Sequence, residues 1–497
     1  MPRRARREAK EPFPPRPNAL REAGRLETKG DRTDVKIYKP RKNKKKIGPF
    51  TILFALFILA LPLGAAVAVS YYFIQDMDDP IATLTPDREA VSLKKEFTLT
   101  AEDQKSGIRE IQVAVSQGLK KYVILDKSYE EHPARVQERF TLDKAELRGG
   151  DFEMTATVHD GSFFNFGSGN IVKIHRKMLL DASFPNIKAL TAAHYVRQGG
   201  VGLVIYSVTK EPERSGVMVG EDFYPGFRQE SGNYLCLFAF PPDMTAEDFK
   251  PRLYVEDKAG NERQGFFTNM AIRRRFREEQ VQVTDAFLQE KILPLAASFP
   301  GVKDPVELFK RVNSRMREQN KEMLLDIGKK TAPVPLWNGP FIYLPGSAVK
   351  GSFGAVRAYV YKGETIGEQT HMGIDLATRP KDDVPAANDG RVVFAGPLGI
   401  YGQTIIVDHG IGLQSLYGHL SAMEVKPGDA VKKGQPVGKT GSTGMAFGDH
   451  LHFGMLVSGR EVIPIEWWDA NWVNDNITSK MKRHGELGTP EEQPAAQ

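Results

Sequence analysis

Three short stretches decide how the chain is read: His371-Met372-Gly373-Ile374-Asp375, Leu416-Tyr417-Gly418-His419-Leu420-Ser421 and His450-Leu451-His452-Phe453. Four of the chain's ten histidines, His371, His419, His450 and His452, fall inside them together with Asp375. A catalytic zinc takes three protein ligands from histidine and carboxylate and keeps one position open for water. Hydrolysis then needs a base for that water's proton and a donor for the oxyanion. Three ligands and two spare imidazoles fill those roles. Alternate residues of an extended segment face the same side, so His450 and His452 reach one site if they lie on a strand. Spacing alone leaves open which of the two binds the metal. His409, in Val407-Asp408-His409-Gly410, reads as a turn residue.

His-x-Gly-x-Asp, Tyr-Gly-His-Leu-Ser and His-Leu-His-Phe, in that order, resemble the lysostaphin/LytM-type zinc metallopeptidases that cut peptidoglycan cross-bridges. Gly351-Ser352-Phe353-Gly354 with Arg357, Val425-Lys426-Pro427-Gly428 and Val431 to Gly438 extend the resemblance over roughly Leu336 to Trp468. It implies an antiparallel β domain with Zn2+ as cofactor. His371, Asp375 and His452 would be the ligands, His419 and His450 the catalytic pair, and peptidoglycan stem peptides the substrate. The chain departs from the pattern at Asp449, where proline is common, and at Gly454, where an acidic residue is common. Neither is a ligand position.

Two motifs nearby are decoys. Gly434 to Thr440 has three residues between its glycines where a phosphate-binding loop needs four. The Pro-Gly-Asp and Lys-Gly-Gln turns look like lipoyl hairpins but lack a lysine at a tight tip. Both read as β-turn chemistry.

The chain has 497 residues and a formal net charge of +6, and the imbalance is local. Residues 1–46 carry seventeen Lys and Arg against six acidic residues, too polar to bury a core, and are expected to form a disordered cytoplasmic tail. Residues 47–73 hold no charge and are long enough to cross a bilayer. Lys42, Lys44, Lys45 and Lys46 before the span, against Asp76, Asp78 and Asp79 after it, predict a cytoplasmic N-terminus. The remaining domains are then periplasmic or extracytoplasmic, on an uncleaved inner-membrane anchor in contact with lipid. The span makes a nucleic-acid role for the basic arm the weaker reading, and no nucleic-acid partner is expected. The single cysteine, Cys236, reads as a buried strand residue with no disulfide partner in the chain.

Residues 80–178 and 181–272 show short alternating strands between turn residues. Phe152 to Val158 leads into His159-Asp160-Gly161. Leu253 to Asn261 ends in a Val-x-Asp-x-x-Gly-Asn pattern that resembles bacterial Ig-like modules. Two β-sandwiches are expected, read as spacers. Residues 273–330 turn helical: Asp304-Pro305-Val306-Glu307 is a capped helix start, Gly328 a stop, and an earlier helix spans 284–297, broken near Pro294. This segment reads as a connector, with a regulatory arm over the site as the alternative.

The expected architecture is multidomain and mainly β. One N-terminal transmembrane helix precedes two Ig-like sandwiches, the helical connector, a LytM-type peptidase domain at 336–470 and a tail at 471–497. The expected function is a zinc metalloendopeptidase acting on peptidoglycan, with cell-wall or division proteins as partners. The competing readings are a non-catalytic activator of other wall hydrolases and a membrane-tethered scaffold.

Overall fold

The strand Leu413–Leu420 is buried at every residue, which requires cover on both faces of its sheet. Its side chains alternate between two cores. Leu413 and Tyr417 enter one and Leu416 enters the other, as a period of two dictates; Leu420 rejoins the first after His419, whose φ of +61° breaks the alternation. The sheet around it runs in the order Ala348–Gly351, Ile374–Ala377, Leu451–Val457, Leu413–Leu420, Gln403–Asp408, Gly390–Pro397, Ala430–Val431, with Arg460–Val462 paired to Leu451–Val457. These features belong to a computed structural model that describes residues 48–74 and 76–486. The basic tail expected at 1–46 lies outside the described residues, as does the chain from 487 onward.

The connector covers one face of this sheet. Leu308, Phe309, Val312, Met316, Leu324 and Ile327 share a core with Ile406, Leu416 and Leu456. The capped start is present: Asp304 accepts from Glu307 N at 2.8 Å ahead of the helix Pro305–Arg311. The segment is not helical throughout, however. Glu278–Val283 is a strand, parallel to Val356–Tyr361. The earlier helix is three short pieces, Asp285–Phe287, a π-turn at Leu288–Ile292 and a 3-10 segment at Leu293–Ser298 that contains Pro294. Proline lacks the amide that a continuing helix needs.

The other face packs on the second sandwich, whose sheets run Phe227–Arg228, Tyr234–Ala239, Val201–Val208, Ile187–Ala189 and Asp222–Pro225, Pro212–Val219, Arg252–Asp257, Glu262–Gly265. Cys236 is buried within it. Phe238, Phe240 and Leu253 of this sandwich join Phe453, Val462 and Trp467 in one continuous core. A shared core is more than a spacer needs. The C-terminal stretch, read from sequence as a tail, continues this packing: it is helical as far as Ser479–Arg483 and buries Val473, Ile477 and Met481.

The first sandwich closes its own core between the sheet Ile81–Thr85, Phe97–Glu102, Arg135–Phe140 and the sheet Lys120–Ser128, Ile108–Gln117, Gly150–Asp160, Ile171–Leu180, Ala90–Val91. Phe97–Glu102 alternates buried and half-buried residues strictly, and Gly150–Asp160 does so from Phe152 onward. The helix Pro49–Ile74 is a separate unit of 26 residues. Its length is about 39 Å at 1.5 Å per residue, more than the ~30 Å hydrocarbon core of a bilayer. Its large side chains, among them Phe50, Leu53, Phe57 and Leu59, are exposed.

Candidate metal centre

Strand register brings two of the candidate ligands together. Asp375 on Ile374–Ala377 is directly opposite His452 on Leu451–Val457, and directly opposed residues have neighbouring side chains. His371 lies in the turn just before, four residues from Asp375. The turn can pass this close because residue 373 is glycine: a Cβ there would lie 2.4 Å from His452 Nε2.

His371 Nε2, Asp375 Oδ1 and His452 Nδ1 converge, with separations of 3.0, 3.1 and 3.2 Å. All three residues are buried. The outer nitrogen of His371 is committed, since Nδ1–H donates to the Ser352 carbonyl at 3.0 Å, so Nε2 presents a lone pair inward. Three donors thus crowd one point with too few protons between them. Zinc ligands at about 2.0–2.1 Å in a tetrahedron sit about 3.3 Å apart, close to the spacing here. The donor set therefore fits the ion that the sequence implies.

His419 and His450 stand beside this triad. His450 Nε2 is 3.4 Å from Asp375 Oδ1, so the two residues of His-x-His do face one site. The His419 and His450 rings are 4.8 Å apart, centroid to centroid. Each donates from Nδ1–H to a backbone carbonyl, His419 to Thr443 at 2.8 Å and His450 to Gly448 at 2.9 Å. That leaves Nε2 of each turned to the site, with Nε2 of His450 toward Asp375 Oδ1. His419 has φ +61°, a left-handed conformation that costs a non-glycine residue about 1–3 kcal/mol and clusters at functional sites.

The electrostatics are sharply divided. Burial alone would raise the Asp375 carboxyl, yet the imidazoles of His371, His450 and His452 hold it well below the usual carboxylate range. Burial pushes His452 down to about 4 and His419 well below its ordinary value, with neighbouring histidines adding to it. His450 goes the other way: its contact with Asp375 outweighs burial and raises it.

Sequence reasoning missed the groups that hold Asp375 from behind. Arg357 Nη2 donates to Asp375 Oδ2 at 2.9 Å, and Arg357 Nε donates to Glu279 Oε2 at 3.2 Å. Gly351 makes room, since a Cβ there would sit 2.2 Å from Arg357 Nη2. The one available signal was the Gly351-to-Arg357 pattern; Glu279 is reached only through the parallel pairing of Glu278–Val283. The site opens into a pocket of about 390 Å³ whose walls include Val281 and Arg317 from the connector, Lys350 and Phe447. Phe447 stacks on Phe287 with centroids 3.9 Å apart. His409 is set apart from all this, fully buried and bonded at both nitrogens to Asp389 O and Ser415 Oγ.

Residues 369–464 match the model of peptidase family M23. Over 95 residues the chain is 39% identical to the DD-carboxypeptidase/endopeptidase Mpg of Neisseria meningitidis, covering 19% of this chain and 22% of that protein. Over 128 residues it is 33% identical to the murein hydrolase activator EnvC of Escherichia coli, covering 24% of this chain and 30% of that one. The chain thus spans about a fifth to a third of the length of these relatives. The catalytic domain of the antimicrobial peptidase lysostaphin from Staphylococcus simulans matches at 30% identity and a TM-score of 0.21, covering 24% of this chain and 92% of that domain. The motifs and the family match agree: the chain carries a C-terminal peptidase family M23 domain.

Proposed function

We propose that this protein is a membrane-anchored, zinc-dependent peptidoglycan endopeptidase that hydrolyses the peptide cross-bridges of the bacterial wall. The observation that carries the reading is the convergence of His371 Nε2, Asp375 Oδ1 and His452 Nδ1 at the base of an open pocket. Those three residues would hold the zinc. Bound there, zinc supplies Lewis-acid chemistry, lowering the pKa of a water and polarising the scissile carbonyl. His419 and His450 divide the remaining work. One accepts the proton of the attacking water at Nε2, and the other stabilises the oxyanion of the scissile carbonyl. Their Nδ1–H bonds to Thr443 and Gly448 fix ring orientation, so little rearrangement is needed at the moment of reaction.

The apolar helix Pro49–Val69, after the lysine-rich segment, supports an inner-membrane anchor with the remaining domains outside the cytoplasm. The second reading is an activator of other wall hydrolases, favoured by the similarity to EnvC. All five metal and catalytic positions are filled in this chain, which favours the enzyme.

The test is incubation of the full-length protein, solubilised in detergent and loaded with zinc, with purified peptidoglycan, followed by mass analysis of the soluble fragments. The enzyme releases cross-bridge cleavage products, and a chelator abolishes their release. An activator releases none alone, with or without zinc, and that result would replace the proposal.

A further inference from the structure

The two sandwiches repeat one strand order, which allows a position-by-position comparison. In the first, Ile81–Thr85, Phe97–Glu102 and Arg135–Phe140 are neighbours; in the second, Ile187–Ala189, Val201–Val208 and Tyr234–Ala239 are. The opposite sheets match as well, with Gly150–Asp160 corresponding to Arg252–Asp257. Each of these last strands ends in aspartate, Asp160 and Asp257, and each aspartate accepts from a following asparagine, Asn170 Nδ2 at 2.7 Å and Asn261 Nδ2 at 3.1 Å. Each asparagine also reaches the chain ahead of the first strand, Asn170 to Asp76 O and Asn261 to Asp181 O.

The repeat breaks at one place. In the second sandwich Lys210, just past Val201–Val208, puts its ammonium between Asp181 and the fully buried Asp257. One cation there bridges two carboxylates. In the first sandwich the same turn, just past Phe97–Glu102, carries Asp103. Where the second sandwich has two carboxylates and a cation, the first has three carboxylates: Asp76, Asp103 and Asp160 each bring an oxygen to within 4.8 Å of the others. Asp103 and Asp160 are buried. The Asp76 side chain is 7% exposed, and its Oδ2 is buried with no hydrogen-bond partner among the described residues. Lys105, 63% exposed, contacts Asp78 and pairs with Asp76 Oδ1 at 3.9 Å. Backbone amides meet part of this charge: Asp103 Oδ1 accepts from Lys105 N, Ser106 N and Gly107 N, and Asp160 Oδ1 from Ser162 N and Asn170 N. Three clustered carboxylates still repel one another, and a cation among them relieves that repulsion.

We propose that the first sandwich binds a calcium ion through Asp76, Asp103 and Asp160, at the place that Lys210 fills in the second. Calcium takes oxygen ligands at 2.3–2.6 Å, so donors on opposite sides of it lie about 4.8 Å apart. An all-oxygen, carboxylate-rich set suits a hard cation and not the zinc of the histidine centre. The ion fastens the segment at Asp76 to the ends of two strands from opposite sheets.

The experiment is calorimetric titration of calcium chloride into the full-length, zinc-loaded protein in detergent. The wild-type chain takes up one calcium per molecule, and so does His452→Ala, which disrupts only the histidine centre. Asp103→Lys installs the ammonium of the second sandwich: it folds without calcium and takes up none. Asp76→Asn, a change of minimal volume, weakens uptake at least tenfold and serves if Asp103→Lys does not fold. Absence of uptake by the wild-type chain overturns the proposal, as does undiminished uptake by either variant.

Discussion

Arg357 Nη2 bonds Asp375 Oδ2, the carboxylate oxygen turned away from the one that His371 and His452 share. The guanidinium is itself held by Glu279, so a strand from the connector fixes the angle at which Asp375 meets the histidines. The peptidase centre is therefore completed from outside the stretch that carries its motifs.

Groups that orient a metal's ligands typically contribute ten- to a hundredfold in affinity. Arg357→Gln is expected to weaken zinc binding by about that factor, while Arg357→Lys, which keeps charge but not the forked geometry, falls between. Competition with a chromophoric chelator measures this. Equal zinc affinity in all three proteins would show that Arg357 positions nothing.

Glu466 joins the second sandwich to the peptidase domain. Its Oε2 accepts from Val201 N at 3.1 Å, and its Oε1 is buried without a hydrogen-bond partner among the described residues. Burial pushes its carboxyl up from 4.5 to about 7, against the opposing pull of Arg274 and Arg197. A raised folded-state pKa contributes stability that is complete below the unfolded value and lost as pH rises through the folded one. Stability is thus expected to fall between pH 4.5 and about 7, by on the order of 3 kcal/mol. Glu466→Gln should lack this component. Denaturant midpoints at pH 5 and pH 8 check it, and an unchanged pH dependence in the variant would contradict it.

The helix Pro49–Ile74 is apolar on all sides. A chain lacking residues 1–74 is expected to leave the membrane fraction, and a reporter fused after Gln497 should be active only outside the cytoplasm. Fractionation and reporter activity are the measurements. A cytoplasmic reporter signal would reverse the orientation.

The histidine centre was legible because its parts are local. His371 and Asp375 are four residues apart, His450 and His452 two, and a strand makes the second pair face one way. What holds the centre was not. The pairing of Glu278–Val283 with Val356–Tyr361 joins segments far apart in the chain, and Glu279 alternates with glutamines that any exposed strand would carry. The connector's apolar spacing announced a helix but not which sheet face it covers. The fully buried run Leu413–Leu420 needed both covers in place to be understood. Nothing in the sequence around Asp103 sets it apart; only the fold places it where the second sandwich has Lys210.

The central claim is the division of labour among five side chains, and paired measurement of zinc per chain and cross-bridge cleavage across their alanine variants tests it most directly. His371→Ala, Asp375→Ala and His452→Ala should lose zinc and activity together. His419→Ala and His450→Ala should keep zinc while hydrolysis falls about a hundred- to ten-thousandfold. If His450→Ala loses its zinc while His452→Ala keeps both zinc and activity, the assignment of the centre is contradicted.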